Sequence, residues 1–247
     1  KFFNGMFAFV IYNETSNDIF IARDRLGIKP LYFYHSQDQW LFASEIAPIQ
    51  KLVNSKVDEF GLRQYRKLRM TVKGYTLYSE IKFFPPGHYW LNGSMKKYWD
   101  LDFSAKPPPK EEELKSIVED AVILRKRSDV PVGSYLSGGL DSTILSYILK
   151  PEDTWTVGFD DLNEFDWGEL ANSNLNSTHH QIKVDKEMFL TTATQMVNKR
   201  LEPLSVPNEV LIYLMTMKVK EKNTVVLSGE GADELFWGYD RIFKWAN

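Results

Sequence analysis

Cysteine is absent from all 247 residues. That excludes a disulfide framework and a thiol nucleophile here, and with them the usual compositional mark of a small secreted domain. Histidine is scarce, with four in the chain, and the adjacent pair His179 and His180 opens a strand pattern that points the two rings to opposite faces, so they cannot form one metal pair. No charge of one sign dominates: 30 Lys and Arg against 33 Asp and Glu leave a formal net charge of −3. This balance gives no general electrostatic reason to seek nucleic acid or an anionic membrane. No apolar run approaches the ~18 residues of a membrane span. The opening KFFNGMFAFVIY places a lysine before an apolar stretch, but Asn4 and Gly5 interrupt it and no small-x-small cleavage site follows, so a strand is expected rather than a signal peptide. Small-molecule partners and a cytoplasmic location are the expectations that remain.

Apolar material is plentiful, at 43% hydrophobic and 14% aromatic residues, enough for real cores and, at this length, for two domains. The first hundred residues read as hairpins. MFAFVIY and IFIARD flank one turn, LYFYH and QWLFAS flank another, and GHYWLNGSMKKYW folds about Asn92-Gly93, a strong hairpin signal. A helical stretch over 57–68 interrupts this antiparallel region. Three consecutive prolines in FSAKPPPKEEE mark a linker and place the boundary between domains 1–104 and 105–247. Strands and helices then alternate: a helix from Glu111 to Arg127, the strand VPVGSYL, a helix from Asp141, the strand TWTVGF, a helix around WGELANSNL, the strand HHQIKV, helices over 186–198 and 208–221, and the strand TVVLSG. This order predicts a parallel sheet covered on both faces, with ligands at the carboxyl ends of its strands near a topological switch point. Met215 and Met217 are read as helical core filler, PKEEELK as a solvated linker and helix start, and Arg23, Asp24 and Arg25 as ion pairs of a surface turn.

Two breaks carry chemistry. In SYLSGGLDST a strand gives way to Ser137-Gly138-Gly139 and then to a helix with Asp141 in its first turn. Glycines let backbone N–H groups approach a ligand, and the following helix aims its positive end at the same spot, which suits a phosphate or pyrophosphate. The spacer and the Gly-Lys-Ser/Thr ending of a Walker A loop are missing, so the kinase-type reading fails. A carboxylate beside phosphates makes electrostatic sense with a cation between them, most naturally Mg2+. The second break, LSGEGADE, again ends a strand in Ser-Gly and supplies Glu230, Asp233 and Glu234. Alone, the first loop is a tight turn and Asp141 a dipole-complementing acid; together the two motifs are expected to hold Mg2+ against a triphosphate.

SYLSGGLDST resembles the SGGxDS pyrophosphate loop of ATP pyrophosphatase domains, and VVLSGEGADELFWGY is similar to the second signature of the asparagine synthetase B family. FNGMFAFVIYN, ARDRLGIKPLYF, LFASEI, TLYSEIKFFPPGHY and RSDVPVGSYLSGGLDS look like further landmarks, so the resemblance covers nearly the whole chain. It implies an α+β, Ntn-type class II glutaminase portion with antiparallel sheets, followed by an α/β, parallel-sheet ATP pyrophosphatase domain of the adenine nucleotide alpha-hydrolase kind. It also implies a reaction: glutamine releases ammonia, ATP adenylates a carboxylate, and ammonia displaces AMP to give an amide. Carried over by motif, Ser137, Gly138, Gly139 and Ser142 cradle the pyrophosphate portion, and Asp141 and Asp233 hold Mg2+. Tyr135, Leu136, Val157, Ser228 and Gly229 contact the adenosine, and Glu230 serves acyl-adenylate formation. The implied partners are ATP, glutamine or ammonia, and aspartate or another carboxylate, and a homodimer is compatible with the family.

The departures qualify this. The glutaminase of the family uses an N-terminal cysteine, whereas this chain begins at Lys1 without one, and the family's synthetase domain continues past FWGY. The chain therefore reads as a central portion that should not hydrolyse glutamine by itself. Trp237 stands where the family usually has glycine. The favoured acceptor is aspartate, giving asparagine. Rival readings are an amidotransferase acting on a surface-polysaccharide sugar acid, a lactam-forming synthetase, and a decayed non-catalytic relative.

Overall fold

The computed structural model describes residues 3–37, 39–104, 107–236 and 238–239; Lys1 and Trp237 lie outside them. Two compact units are present, Lys1–Ala105 with Thr194–Val206, and Lys106–Ala193 with Pro207–Asn247. The first contains β1 (Ala8–Asn13), β2 (Asp18–Arg23), β3 (Tyr32–His35), β4 (Trp40–Ala43), α1 (Ile46–Val53), α2 (Glu59–Leu68), β5 (Ile81–Phe83), β6 (His88–Leu91) and β7 (Ser94–Lys97). Its strands form two antiparallel sheets of order β1-β2-β6-β7 and β4-β3-β5. The expected turn between β6 and β7 is present, with positive φ at both Asn92 (46°) and Gly93 (86°), the backbone that matches the twist of a two-residue hairpin. Asp58 caps α2, its Oδ1 accepting from the Phe60 amide at 2.9 Å.

Two features of this unit depart from the sequence reading. α1 was not anticipated; Ile46, Ile49 and Val53 share one helical face against Ile81, and Pro48 falls in the first turn, where a missing N–H costs nothing. Arg23 and Asp24 are not a surface turn, being 2% and 1% exposed. Instead of pairing with each other, they are satisfied by backbone. The Arg23 guanidinium donates to the carbonyls of Lys29 (2.8 Å), Phe84 (2.5 Å) and Gly27 (2.5 Å) and stacks on Phe83. Asp24 accepts from the amides of Phe7, Ile28 and Lys29. Burial lowers the Arg23 pKa, with Asp24 opposing that shift. A buried charge is tolerated only when its hydrogen-bonding groups are met in this way.

The second unit contains α3 (Glu111–Arg125), β8 (Val132–Tyr135), α4 (Leu140–Leu149), β9 (Asp153–Phe159), α5 (Phe165–Asn172), β10 (Thr178–Val184), the first part of α6 (Lys186–Arg200), α7 (Asn208–Val219), β11 (Val225–Leu227) and α8 (Ala232–Phe236). The sheet is parallel, of order β10-β9-β8-β11. Thr154, Trp155 and Thr156 are consecutive buried residues of β9, as expected for a strand covered on both faces. Trp155 and Val157 face α7, where they pack with Tyr135, Ile182, Met215, Val219 and Val226. Thr154 and Thr156 face the other way, toward α5. Met215 is core, but Met217 is 56% exposed, because residues two apart on a helix lie on opposite sides. Among the described residues no helix is long and apolar enough to cross a membrane.

Candidate functional site

The strand order decides the site. From β8 the chain proceeds to β9 and β10 on one side, whereas β11 lies on the other side of β8, pairing Leu227 with Ser134. Between β8 and β11 the sheet reverses direction of growth, and the loops that leave their carboxyl ends diverge around a crevice. Those loops are Leu136–Gly139 and Ser228–Gly231, the two breaks singled out in the sequence. Gly229 lies directly against the start of α4: a Cβ on it would sit 3.2 Å from Asp141 Cβ and 3.3 Å from the Ser142 amide. Motifs far apart in sequence are thus in contact.

The first loop is closed by its own hydroxyls. Gly139 N donates to Ser137 Oγ (3.2 Å), Ser142 Oγ donates to the Gly139 carbonyl (3.1 Å) and accepts from the Ser137 amide (3.3 Å), and the two hydroxyl oxygens stand 3.1 Å apart. Gly139 is the N-cap of α4, in extended backbone, with no side chain capping the helix. The opening turn of α4 therefore keeps donors for an oxyanion. Gly138 has φ +86° and is pressed on α5: a Cβ there would overlap the Trp167 carbonyl carbon and lie 2.5 Å from its oxygen. A side chain at Gly138 would thus meet α5 before it entered any phosphate space.

Below the loop, Leu136 is fully buried. Its amide donates to the Trp155 carbonyl at 2.9 Å, and its carbonyl accepts from Thr156 Oγ1. Leu136 thus has no exposed surface, and its backbone polar groups root the loop on β9. Tyr135 and Val157 are only partly buried, and the Tyr135 hydroxyl pairs with Thr216 Oγ1 at 2.8 Å.

The second loop turns sharply at Gly231 (φ +93°) into α8. Glu230, Asp233 and Glu234 crowd one end of it. The Tyr239 hydroxyl donates to Glu234 Oε1 at 2.9 Å, and that bond, reinforced by the charges of Glu234, Asp233 and Glu230, raises the Tyr239 pKa. Gly238 packs so closely on Asp233 that a Cβ would overlap its carboxylate. Among the described residues no group of three or more His, Asp or Glu side chains is placed to hold a metal ion. A fit to Mg2+ does not require one, since this ion binds through one or two carboxylates together with substrate phosphates and water. Asp141 in the first turn of α4 and Asp233 in the first turn of α8 are donors of that type.

The structure adds residues that the sequence reading passed over. Trp167 and Gly168 of α5 buttress the loop. His179 stands beside Thr154 and Thr156, while His180 faces the other way, pairing with Asp153 at 2.6 Å and stacking on Trp155. Burial lowers the His179 pKa from its ordinary value, with Glu169 opposing and His180 adding to the shift. The signal in the sequence was the alternation Thr154, Thr156 on an otherwise apolar strand, which demands polar partners on that face.

Comparison with known proteins bears on these loops. Residues 113–247 match the family described as asparagine synthase, and residues 1–99 the glutamine amidotransferase domain. Asparagine synthetase [glutamine-hydrolyzing] 1 of Bacillus subtilis is 34% identical over 96% of this chain and 40% of that protein. Asparagine synthetase B [glutamine-hydrolyzing] of Escherichia coli is 29% identical over 98% of this chain and 45% of its own length. Amidase chry2 of Gibberella zeae is 30% identical over 96% of this chain and 40% of that protein. The chain thus spans less than half the length of these relatives. Among solved structures, an NH3-dependent NAD synthetase from Campylobacter jejuni aligns with a TM-score of 0.37 at 17% identity, over 55% of this chain and 63% of that one, a likeness too low to bear on the fold. With the family match covering residues 113–247, more than half of the chain, and both loops inside it, the chain belongs to the asparagine synthase family.

Proposed function

We propose that the intact protein is a cytoplasmic, glutamine-dependent asparagine synthetase. Residues 1–104 are the C-terminal part of an Ntn-type class II glutaminase domain, and 105–247 the N-terminal part of an ATP pyrophosphatase domain of the adenine nucleotide alpha-hydrolase kind. The observation that carries this reading is the contact of Gly229 with Asp141 and Ser142, which sets a glycine-rich anion loop beside an acidic turn at a topological switch point. Tyr135, Val157, Ser228 and Gly229 line the adenosine position, with Leu136 behind them. The backbone of Ser137, Gly138 and Gly139, with the Ser137 and Ser142 hydroxyls, receives the β- and γ-phosphates. Asp141 and Asp233 hold Mg2+, which when bound neutralises charge on the departing pyrophosphate. The aspartate side-chain carboxylate attacks the α-phosphorus, the bond to the bridging oxygen breaks, and pyrophosphate leaves. Glu230 serves formation of this acyl-adenylate and, as an acid beside the reacting centre, accepts the proton shed as ammonia, released from glutamine, attacks the acyl carbon of the mixed anhydride. Expulsion of AMP gives asparagine.

A second acceptor is kept in view because a 30% identical relative bears the name of an amidase rather than of an asparagine synthetase: the same adenylation would serve another carboxylate, such as a sugar acid or a lactam precursor. Pyrophosphate release by the intact protein with Mg-ATP and ammonium separates these. Release with L-aspartate, with asparagine as product, is expected. Release only with another acid would keep the chemistry and replace the substrate, and no release with any carboxylate would overturn the ligase reading.

A further inference from the structure

Under the anion loop lies a chain of polar groups whose protons can be counted. Asn172 Nδ2 donates to the Ser177 carbonyl at 3.0 Å, which turns its Oδ1 toward Thr154. The Thr154 hydroxyl donates its single proton to that oxygen at 2.9 Å. Toward His179 Nδ1, 2.9 Å away, Thr154 Oγ1 can therefore only accept, so Nδ1 carries a proton. The other ring nitrogen, Nε2, faces Thr156 Oγ1 at 3.4 Å. Thr156 also has a single proton, and it is given to the Leu136 carbonyl. With the ring neutral, the Nε2 lone pair competes with Leu136 for that proton. Once the ring is protonated, Nε2–H donates to Thr156 and leaves the hydroxyl proton wholly on Leu136. Both the Leu136 carbonyl and His179 Nε2 lie 3.1 Å from the position a Cβ would take on Gly168, so α5 clamps the assembly with no room for adjustment.

We propose that His179 is a positioning residue for nucleotide binding, controlling through Thr156 how firmly the Leu136 carbonyl, and so the Ser137-Gly138-Gly139 loop after it, is held. This rests on the reading of the loop as the ATP site. Three elements face the ring: β9 presents the uncharged Thr154 and Thr156, α5 presents Gly168 and Glu169, and β10 contributes His180. Of these, Glu169 favours the protonated ring and His180 opposes it, while Asp153 is engaged by His180 rather than by His179. Because burial depresses the ring's pKa, the change falls below pH 6.5. The loop is then held loosely at neutral pH and more firmly in acid.

The test is the dissociation constant of Mg-ATP for the intact protein from pH 8 to 5, in wild type and in His179→Gln, His179→Phe and Thr156→Val, with thermal unfolding recorded for each. The ligand's own titration is common to all four and cancels in ratios to wild type. Gln does not titrate and its amide nitrogen offers Thr156 a donor at every pH; it is expected to bind at neutral pH at least as tightly as wild type and to lose the acid-side strengthening. Thr156→Val is expected to weaken binding roughly tenfold, about one hydrogen bond, whereas His179→Phe, which removes the competing lone pair, is expected to bind at neutral pH no more weakly than wild type and to lose the acid-side strengthening. A pH profile in His179→Gln equal to wild type, or unchanged affinity in Thr156→Val, would overturn the proposal. If His179→Phe does not fold, the glutamine profile decides. Wild type that does not bind Mg-ATP at all would instead remove the ATP-site reading on which the proposal stands.

Discussion

Replacing Gly138 by alanine perturbs the loop at the point where it touches α5, and the cost can be worked from geometry. At φ +86° an alanine is strained by ~1–2 kcal/mol. Its Cβ also overlaps the Trp167 carbonyl group, which is backbone and cannot swing away, so an overpacking cost of ~1–3 kcal/mol adds to it. The sum of about 2–5 kcal/mol corresponds to a fall in Tm on the order of 5–15 °C for a chain of this size. Gly139 is the internal control. Its φ of −68° suits any residue, and the nearest atom to an added Cβ is Ser137 Oγ at 3.3 Å. Gly139→Ala should cost under about 1 kcal/mol of stability, chiefly the N-cap preference for glycine over alanine, yet place its methyl group on the open side of the loop. The two variants should therefore separate: Gly138→Ala loses stability first, whereas Gly139→Ala loses Mg-ATP affinity with Tm near wild type. Thermal unfolding and equilibrium nucleotide binding on the same preparations read both quantities. A Gly138→Ala protein with wild-type Tm would refute the steric argument.

Asp141→Asn is expected to lower Mg-ATP-dependent pyrophosphate release ~100-fold or more while changing stability by no more than ~0.5 kcal/mol, since the charge serves the cation rather than packing; undiminished release would sink the metal assignment. In the first unit, burial, aided by Glu202, pushes the Tyr32 hydroxyl up to about 12 from 10.0. A phenol whose pKa is raised by folding contributes stability below the unfolded value and loses it as pH rises through the folded one. Between pH 10 and 12 the protein should thus lose stability, by roughly 2 kcal/mol after allowance for partial solvation. Tyr32→Phe should flatten that limb, and an equal alkaline slope in the variant would assign it to another group.

What could be read in advance and what could not follow the range of the interactions. The β6–β7 hairpin was legible because Asn92-Gly93 carries its own turn geometry, and the alternation of strands and helices was legible because a buried parallel sheet demands it. α1 escaped notice because its apolar face is short and carries Pro48, which looks like a breaker until it is found in the first turn. Arg23 and Asp24 were misjudged because a charged pair on a turn is normally solvated; the carbonyl of Phe84 and the amide of Phe7 that receive them come from other parts of the chain. His179 was set aside as a metal ligand, and its hydrogen-bonded surroundings were not foreseen because they depend on Thr154, Thr156 and Asn172 meeting across β9, β10 and α5.

The sequence by itself determined the chemistry available: glycines and hydroxyls after one strand, acids after another, and no thiol anywhere in these residues. Such features are local, set by residue type and spacing. Only the tertiary structure decided that β11 lies beside β8, which brings Gly229 against Asp141, and that Gly138 faces α5 instead of open space. Both depend on strand order and side-chain direction, which come from packing over the whole sheet and are not encoded in any single segment.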